Sequence, residues 1–227
     1  MKGNMIHPTA IIGDEVEIGY GNIIHPYTII EGKVKIGNNN NIGPHVIIGC
    51  EPTDTKHIER DLENQQVIIG NNNIIREFSL IEQPCYENVT EICDDVFIMQ
   101  GVHISHDVVL CNKSVITNQS VLAGIVKVLD GANIAMACTI NQYTTIGHYS
   151  IVATNAACMR NVKPFSRYIP GKANTVNYYA IKKFGYEAYT EEIEDYVLNN
   201  KEVISPVLKK ITGEFDFWVN KYGHKTY

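Results

Sequence analysis

The sequence predicts an all-β solenoid, namely a parallel β-helix built from six-residue repeats, followed by a short α-helical region. Isoleucine stands at every sixth position from Ile6 to Ile48, eight times in succession. A second run of mostly aliphatic residues keeps this spacing from Ile92 to Cys158. Neither the 3.6-residue period of a helix nor the two-residue period of a strand explains a six-residue step. A short strand and a bend, repeated with one aliphatic side chain pointing inward, do explain it.

A second, longer period indicates that three repeats complete one triangular coil. Pro8, Pro26 and Pro44 each lie three repeats apart, as do Asn22 and Asn40. Turn-forming residues at this spacing fall on the same corner of successive coils, which stack by parallel strand pairing at roughly 4.8 Å. We therefore expect a core that is a column of isoleucine, which no single repeat could bury alone.

The six-residue register breaks twice, which predicts loops at 49–68 and 82–91. The spacing from Ile48 to Ile69, for example, is not a multiple of six. Both segments are polar and contain proline or asparagine, as loops do. Loops on a rigid scaffold often carry the residues that bind a ligand. The alternative is that both are tolerated insertions.

The repeat predicts that the β-helix occupies residues 1–163 and that residues 164–227 form an irregular exit and a helical region. Three segments have helical character: 178–186, 190–200 and 205–222. Thr190 is the expected N-cap of the second helix, because Glu191 and Glu192 would then occupy a first turn that favours negative charge.

Composition and charge argue against several classes of function. The net charge of −6 argues against a nucleic-acid partner. No apolar stretch approaches the roughly 20 residues that span a membrane, and the first residues lack the apolar core of a signal peptide. We therefore expect a cytoplasmic protein. The six cysteines include no CxxC pair, which predicts free thiols and no bound metal.

The candidate chemistry lies in the segment HISHD. His103 and His106 fall within one coil, Asp107 follows the second histidine, and Gly124 and Gln142 follow His106 by one and two coils. A histidine is the natural general base near neutral pH. A glycine beside it exposes its backbone N–H to a developing oxyanion. Because Gly124 lies on the outer edge of the coil, we expect the methyl group of an alanine to fit at this position. The alternative is a polar corner whose histidines have no function.

Six segments are informative together: HISHD, SVLAGIV and INQYTTIG at coil spacing, the opening IHPTAIIGDEVEIG, and the later KPF and VNYYAIKKFGY. They resemble the bacterial UDP-N-acetylglucosamine acyltransferases of lipid A synthesis, which are hexapeptide-repeat proteins. The match covers roughly residues 5–187. The resemblance implies a left-handed coil and a homotrimer with its site between adjacent subunits. It also implies a nucleotide-linked sugar as acceptor, no tightly bound cofactor, and an acyl thioester of acyl carrier protein or coenzyme A as co-substrate.

The resemblance also implies roles for individual residues. The catalytic set would be His106 as general base, Asp107 as its partner and Gly124 as the oxyanion donor. The residues that would contact the sugar nucleotide are His103, Asn141, Gln142, Asp54, Lys56 and Glu82. The residues that would handle the phosphopantetheine arm of the donor are Asn177, Lys182 and Lys183.

This sequence departs from the family at three positions near the predicted base. Ile125, Asn141 and Glu82 stand where the family usually has histidine. Altered sugar contacts beside a retained base favour the same acyl transfer to a changed acceptor, in which an amine of the sugar and not a hydroxyl is acylated.

A basic strip precedes the helical C-terminus. Residues 155–186 contain six basic and no acidic side chains: Arg160, Lys163, Arg167, Lys172, Lys182 and Lys183. In an acidic protein such a strip suits an acidic acyl carrier protein or the phosphates of coenzyme A. The alternative is an ordinary solvated surface.

Two acyltransferase hypotheses therefore stay open. One is an O-acyltransferase of the lipid A type, and the other is a CoA- or carrier-dependent N-acyltransferase of a UDP- or dTDP-amino sugar. A structural β-helix scaffold is a further alternative, but it needs neither HISHD nor the stacked glycine and glutamine. A metal-dependent hydratase would need three converging histidines, which the spacing does not favour.

Overall fold

The computed structural model describes residues 3–55 and 63–227, and it shows a left-handed parallel β-helix with three sheet faces. The first face contains β1 (Met5–Ile6), β4 (Ile23–Ile24), β7 (Asn41–Ile42), β10 (Ile74–Ile75), β13 (Phe97–Ile98), β16 (Val115–Ile116), β19 (Asn133–Ile134), β22 (Ile151–Val152), β24 (Ser166–Tyr168) and β25 (Thr175–Val176). The second face contains β2 (Ile11–Ile12), β5 (Ile29–Ile30), β8 (Ile47–Cys50), β11 (Leu80–Glu82), β14 (His103–Ile104), β17 (Val121–Leu122), β20 (Thr139–Ile140) and β23 (Ala157–Cys158). The third face contains β3 (Val16–Ile18), β6 (Val34–Ile36), β9 (Gln66–Ile69), β12 (Val89–Ile92), β15 (Val109–Leu110), β18 (Lys127–Val128) and β21 (Thr145–Ile146).

Parallel pairing joins residues that lie one coil apart. On the second face His103 pairs with Val121, and Val121 pairs with Thr139, so each step along the face is three repeats of the sequence. The predicted register is therefore confirmed.

The inward aliphatic side chains form the predicted column. Ile30, Ile48 and Ile104 have no exposed surface, whereas Ile6 and Ile12 of the first coil are only partly buried. Each fully buried isoleucine stabilises the fold by about 1.5–3 kcal/mol relative to an exposed one. The first coil gains less because no coil stacks beneath it.

Most corners of the coil use the left-handed backbone region. Asp107, Ile125 and Tyr143 occupy equivalent positions in successive coils with φ of 62°, 64° and 62°. The residue before each of them does not need its backbone N–H for coil stacking. Proline occupies the same place in the repeat at Pro26 and Pro44, directly before the left-handed Tyr27 and His45. A residue at this position can therefore offer its N–H to a ligand.

Two loops leave the coil. One follows β8, and its described residues are 51–55 and 63–65; the other spans 83–88 between β11 and β12. Lys56, one of the predicted substrate contacts, lies outside the described residues. The sequence predicted that Glu82 begins the second loop, and this is wrong. Glu82 is the last residue of β11, after a register shift that follows Ile81.

The chain leaves the coil later than the predicted boundary at residue 163. Strand β24 pairs in parallel with β22 and carries the coil to Tyr168, and β25 then pairs antiparallel with β24. The helices that follow are α1 (Tyr178–Lys183), a 3₁₀ turn (Glu187–Tyr189), α2 (Thr190–Asn199) and α3 (Pro206–Tyr222).

The prediction that Thr190 caps α2 is wrong. Tyr189 holds the N-cap position, and the 3₁₀ turn runs directly into α2, so Thr190 already has helical φ and ψ of −55° and −49°. Its hydroxyl donates to the carbonyl of Glu187 at 2.8 Å. The preceding turn starts the helix earlier than the capping pattern indicates.

The helical region has a small core of its own and covers part of the coil. Phe165, Ile181, Ile193 and Leu208 are buried together in it. Helix α3 contacts β21 on the third face. Among the described residues, no helix has both the length and the apolar character that crossing a membrane requires.

Candidate active site

His106 lies at the corner between the second and third faces, directly after β14. Its side chain is nearly buried, and its Nδ1 lies 2.7 Å from Oδ2 of Asp107. In the tautomer that this contact favours, Nδ1 donates its proton to the carboxylate and Nε2 of the neutral ring is a proton acceptor. The two residues therefore form a dyad in which the carboxylate orients the imidazole.

The loop at 83–88 holds the Asp107 carboxylate. Asp107 has no exposed surface. Its Oδ1 accepts the backbone N–H groups of Cys85 at 3.0 Å and Glu87 at 2.9 Å, and its Oδ2 accepts that of Tyr86 at 3.0 Å. The N–H of Asp107 donates to Oγ1 of Thr90 at 2.8 Å. Three backbone donors thus satisfy this buried carboxylate and fix its orientation.

The electrostatic surroundings raise the pKa of His106. Burial by itself lowers this pKa, but the hydrogen bond and charge of Asp107, with smaller contributions from Glu82 and Asp54, outweigh burial. A base whose pKa lies close to the working pH combines a useful deprotonated fraction with good proton affinity. The dyad is therefore suited to removing a proton from a bound acceptor.

Gly124 faces the imidazole from the next coil. A Cβ added at this position would overlap Cε1 and Nε2 of His106, so only glycine fits beside the ring. The prediction that a methyl group fits here is therefore wrong. The left-handed residue of this corner is Ile125, so the backbone conformation does not itself require glycine at 124. Among the described residues, no acceptor takes the N–H of Gly124.

The carboxylate of Glu82 forms hydrogen bonds to both His103 and His106. Its carboxylate has no exposed surface; Oε1 accepts from Nε2 of His103 at 2.8 Å and from Oγ1 of Thr53 at 2.9 Å. Its Oε2 accepts the backbone N–H of His106 at 3.0 Å. Burial raises the pKa of Glu82, but the hydrogen bonds from His103 and Thr53 outweigh it and lower the pKa. Glu82 thus positions His103, the partly exposed member of the pair.

The two loops meet over His106. Oδ2 of Asp54 lies 3.8 Å from Nε2 of His106, and Oδ1 of Asp54 accepts from the hydroxyl of Tyr86 at 2.9 Å. The Tyr86 ring lies 5.7 Å from the imidazole, centroid to centroid. The hydrogen bond to Asp54 raises the pKa of Tyr86 to about 12. Sequence reasoning missed Tyr86; the register break around it was the only signal.

Gln142 lies at the same corner, one coil beyond Gly124, and is half-buried. Asn141 precedes it and is also half-buried; its backbone N–H donates to the carbonyl of Cys158 at 2.9 Å. The predicted order of His106, Gly124 and Gln142 along one edge is therefore present.

The predicted donor-binding residues lie at a different corner. Asn177 is the N-cap of α1, and its side chain donates to the carbonyl of Tyr149 at 2.8 Å. Tyr149 is the left-handed residue between the third and first faces. Lys182 and Lys183 belong to the same short helix. One chain therefore does not bring these three residues to His106.

The residues that the structure describes contain no group of three or more His, Cys, Asp or Glu side chains that could hold a metal ion. The ion pairs of His103 and His106 are each made with a carboxylate.

Comparison with known proteins identifies relatives of this chain. No protein-family model matches the chain. An acyl-[acyl-carrier-protein]–UDP-N-acetylglucosamine O-acyltransferase from Albidiferax ferrireducens is 34% identical over 143 residues, which are 61% of this chain and 53% of the relative. A protein of the same name from Nautilia profundicola is 40% identical over 122 residues, which are 52% of this chain and 46% of the relative. The predicted resemblance is confirmed.

The chain spans about half the length of the curated relatives it matches. The UDP-N-acetylglucosamine acyltransferase of Francisella novicida superposes with a TM-score of 0.69 at 25% identity, covering 96% of this chain and 87% of that one. The enzyme from Campylobacter jejuni superposes with a TM-score of 0.78 at 22% identity, covering 93% of each chain. The Campylobacter likeness supports the fold.

The three positions at which the resemblance would place histidine have distinct environments. Glu82 is buried and fully hydrogen-bonded, and Ile125 is 3% exposed in the left-handed region. A β-branched residue is rarely found there, and the coil on either side holds it in place. Only Asn141 keeps a partly exposed polar side chain.

Proposed function

We propose that this protein is an acyltransferase that moves an acyl group from a thioester of acyl carrier protein or coenzyme A to a nucleotide-linked sugar. The observation that carries the proposal is the buried His106–Asp107 dyad, with Nε2 of His106 beside Gly124. The names of the relatives, which are acyl-carrier-protein-dependent UDP-N-acetylglucosamine O-acyltransferases, support the same reaction.

In the proposed reaction, Nε2 of His106 accepts the proton of the acceptor hydroxyl while its oxygen attacks the thioester carbonyl carbon. Asp107 stabilises the imidazolium that forms, and the N–H of Gly124 donates to the oxyanion of the tetrahedral intermediate. The carbon–sulfur bond then breaks, and the departing thiolate takes the proton from His106. The products are the acylated sugar and a free thiol. The step uses only an imidazole, a carboxylate and a backbone N–H.

The placement of the donor residues supports a homotrimeric form of this proposal. Asn177, Lys182 and Lys183 lie at the corner between the third and first faces, whereas His106 lies between the second and third. Packing that corner of one subunit beside the His106 corner of the next would complete the site. The basic strip at 155–186 would then face the phosphate of the donor arm.

A second candidate reaction is N-acylation of an amino sugar, favoured by the acidic surroundings of the base. Oδ2 of Asp54 lies 3.8 Å from Nε2 of His106, and the buried Glu82 carboxylate lies directly beneath. Two carboxylates near the acceptor attract an ammonium group more strongly than a neutral hydroxyl. An amino group on the sugar would bind better there.

The test is a panel of donors and acceptors with purified protein. Acetyl-CoA and acyl carrier thioesters are paired with UDP- and dTDP-sugars that carry a hydroxyl or an amine, and thiol release and product mass are measured. We expect acyl transfer in at least one pairing, and the His106→Ala variant serves as the control. Failure of every pairing, or equal turnover by the variant, would overturn the proposal. The preferred acceptor decides between the O- and N-acyl forms.

A further inference from the structure

Lys127 is the one lysine or arginine that is buried among the residues the structure describes. It belongs to β18 on the third face and is 3% exposed. Its Nζ donates to the backbone carbonyl oxygen of Asp107 at 3.0 Å. Burying an ammonium group is costly unless its hydrogen bonds are satisfied. The contact with Asp107 therefore marks Lys127 as a residue that acts on the catalytic corner.

The C-terminal end of α3 covers this ammonium group with aromatic rings. Nζ of Lys127 lies 5.1 Å from the ring centre of Trp218 and 6.0 Å from that of Tyr222. A cation over an aromatic face is attracted to it, more strongly when water is excluded. Burial lowers the pKa of Lys127 to about 8, against smaller opposite effects of Glu87 and Asp107. In the described part of the chain, Lys127 has no carboxylate within ion-pair distance.

Helix α3 reaches Asp107 by a second route. Nζ of Lys221 lies 3.1 Å from Oε1 of Glu87, and the hydroxyl of Tyr222 donates to the same oxygen at 3.3 Å. The backbone N–H of Glu87 donates to Oδ1 of Asp107 at 2.9 Å. The helix is thus connected to the carbonyl of Asp107 through Lys127 and to its carboxylate through the loop at 83–88.

Asp107 is held at its backbone carbonyl and at its carboxylate, and both contacts bear on its orientation. It lies at a corner of the coil with φ of 62°, in the left-handed region. Its carboxylate must also stay in line with Nδ1 of His106, at 2.7 Å. A small rotation at this residue would move the carboxylate away from the imidazole.

We propose that Lys127, Trp218, Lys221 and Tyr222 form a clamp that holds Asp107 in the orientation that His106 requires. The inference rests on the proposed function, in which His106 is the general base. Lys127 is a positioning residue, since it bonds to a carbonyl and not to a reacting atom. The clamp depends on α3, which lies in residues 188–227, outside the segments that carry the family resemblance. This support of the base is thus a property of this chain's own C-terminus.

The test is the substitution Lys127→Met, followed by NMR titration of the His106 imidazole. Methionine keeps the length and burial of the side chain but removes the charge and the donor, so the fold should stay intact. Removing a positive charge would by itself raise the pKa of a nearby imidazole. A loosened Asp107 carboxylate would instead lower the pKa of His106. We expect the pKa of His106 to fall and kcat to drop about 10-fold, within the about 10²-fold that a 1 Å misplacement can cost.

Lys35→Met is the matched control, because Lys35 is an exposed lysine on the same face in β6. It should change neither the His106 titration nor kcat. Lys221→Met is the second variant: it breaks the ion pair with Glu87 and also removes a positive charge, so only a loosened Asp107 carboxylate would lower the pKa of His106. If Lys127→Met does not fold, Lys221→Met decides the question alone.

An unchanged or raised His106 pKa in a folded Lys127→Met protein would overturn the clamp. The titration needs no substrate, so a wrong choice of donor or acceptor does not affect it. Loss of activity in His106→Ala together with an unchanged titration in Lys127→Met would leave the proposed function standing and remove only the clamp.

Discussion

Two corners of the β-helix, which lie in different coils, each carry a histidine, and their environments differ completely. His45 lies between the first and second faces, is exposed, and is stacked between Tyr27 at 5.0 Å and Phe78 at 5.1 Å. His106 lies between the second and third faces, is nearly buried, and is bonded to Asp107 at 2.7 Å.

The difference comes from what surrounds the coil and not from the coil itself. Both corners use the same left-handed turn, with φ of 57° at His45 and 62° at Asp107. Only the second corner has a loop of backbone N–H groups around a carboxylate and a glycine that leaves room for the ring. A β-helix thus provides equivalent corners, and an inserted loop surrounds one of them with backbone donors and a buried carboxylate.

The largest expected effect separates the two histidines. His106→Ala should lower kcat by about 10²–10⁴-fold, which is the usual contribution of a general base. His45→Ala removes only an exposed stacked ring and should leave kcat within about twofold. Steady-state kinetics of both variants, with circular dichroism to verify folding, make the comparison. Similar activities for the two variants would show that the burial of His106 has no catalytic meaning.

The next largest effect is expected at the glycine beside the ring. Gly124→Ala should displace the imidazole and lower kcat by about 10²–10³-fold, similar to the loss of one oxyanion donor. Gly13→Ala is the control, because a Cβ there would meet its neighbours at ordinary contact distances of 3.4 Å or more.

Thermal melting separates the causes of the Gly124 effect. The added methyl overlaps only the ring of His106 among its nearest neighbours, so any loss of melting temperature should disappear when Gly124→Ala is made in the His106→Ala background. A loss of stability that persists in the double variant would mean that the coil itself requires this glycine.

The smallest effect of the three concerns the carboxylate. Asp107→Asn should lower kcat by about 10²-fold, at the low end for general-base catalysis. The base acts when neutral, so kcat/KM rises with pH through the pKa of His106, which Asp107 raises. The asparagine variant should therefore show its acidic limb at lower pH.

A pH–rate profile of kcat/KM provides the measurement for Asp107→Asn. Asp95→Asn is the matched control, since Asp95 is an exposed aspartate with φ of 58° at another corner. If both variants keep the wild-type profile, Asp107 does not tune the base.

The coil and the vertical order of the site could be predicted because both depend on spacing along the chain. An aliphatic residue at every sixth position specifies the inward positions, and a step of three repeats places Gly124 one coil from His106. The loops could be predicted only as interruptions of that spacing. Their contents, such as Tyr86 over the imidazole, follow no period.

The predicted role of Glu82 shows a different limit. The resemblance placed Glu82 among the sugar contacts, but its carboxylate is buried and occupied by His103, Thr53 and the backbone of His106. A sequence position does not reveal whether a side chain points outward or inward at a bulge, and the register shift after Ile81 decides this.

The sequence by itself determined the repeating coil, the corner that carries HISHD, and the stacking of His106, Gly124 and Gln142. These features need only local geometry repeated at a constant interval. The tertiary structure alone decided how Asp107 is held. Its partners are backbone N–H groups, which every residue but proline possesses and no sequence pattern marks. Its support through Lys127 also depends on a helix that returns to the third face from a much later part of the chain.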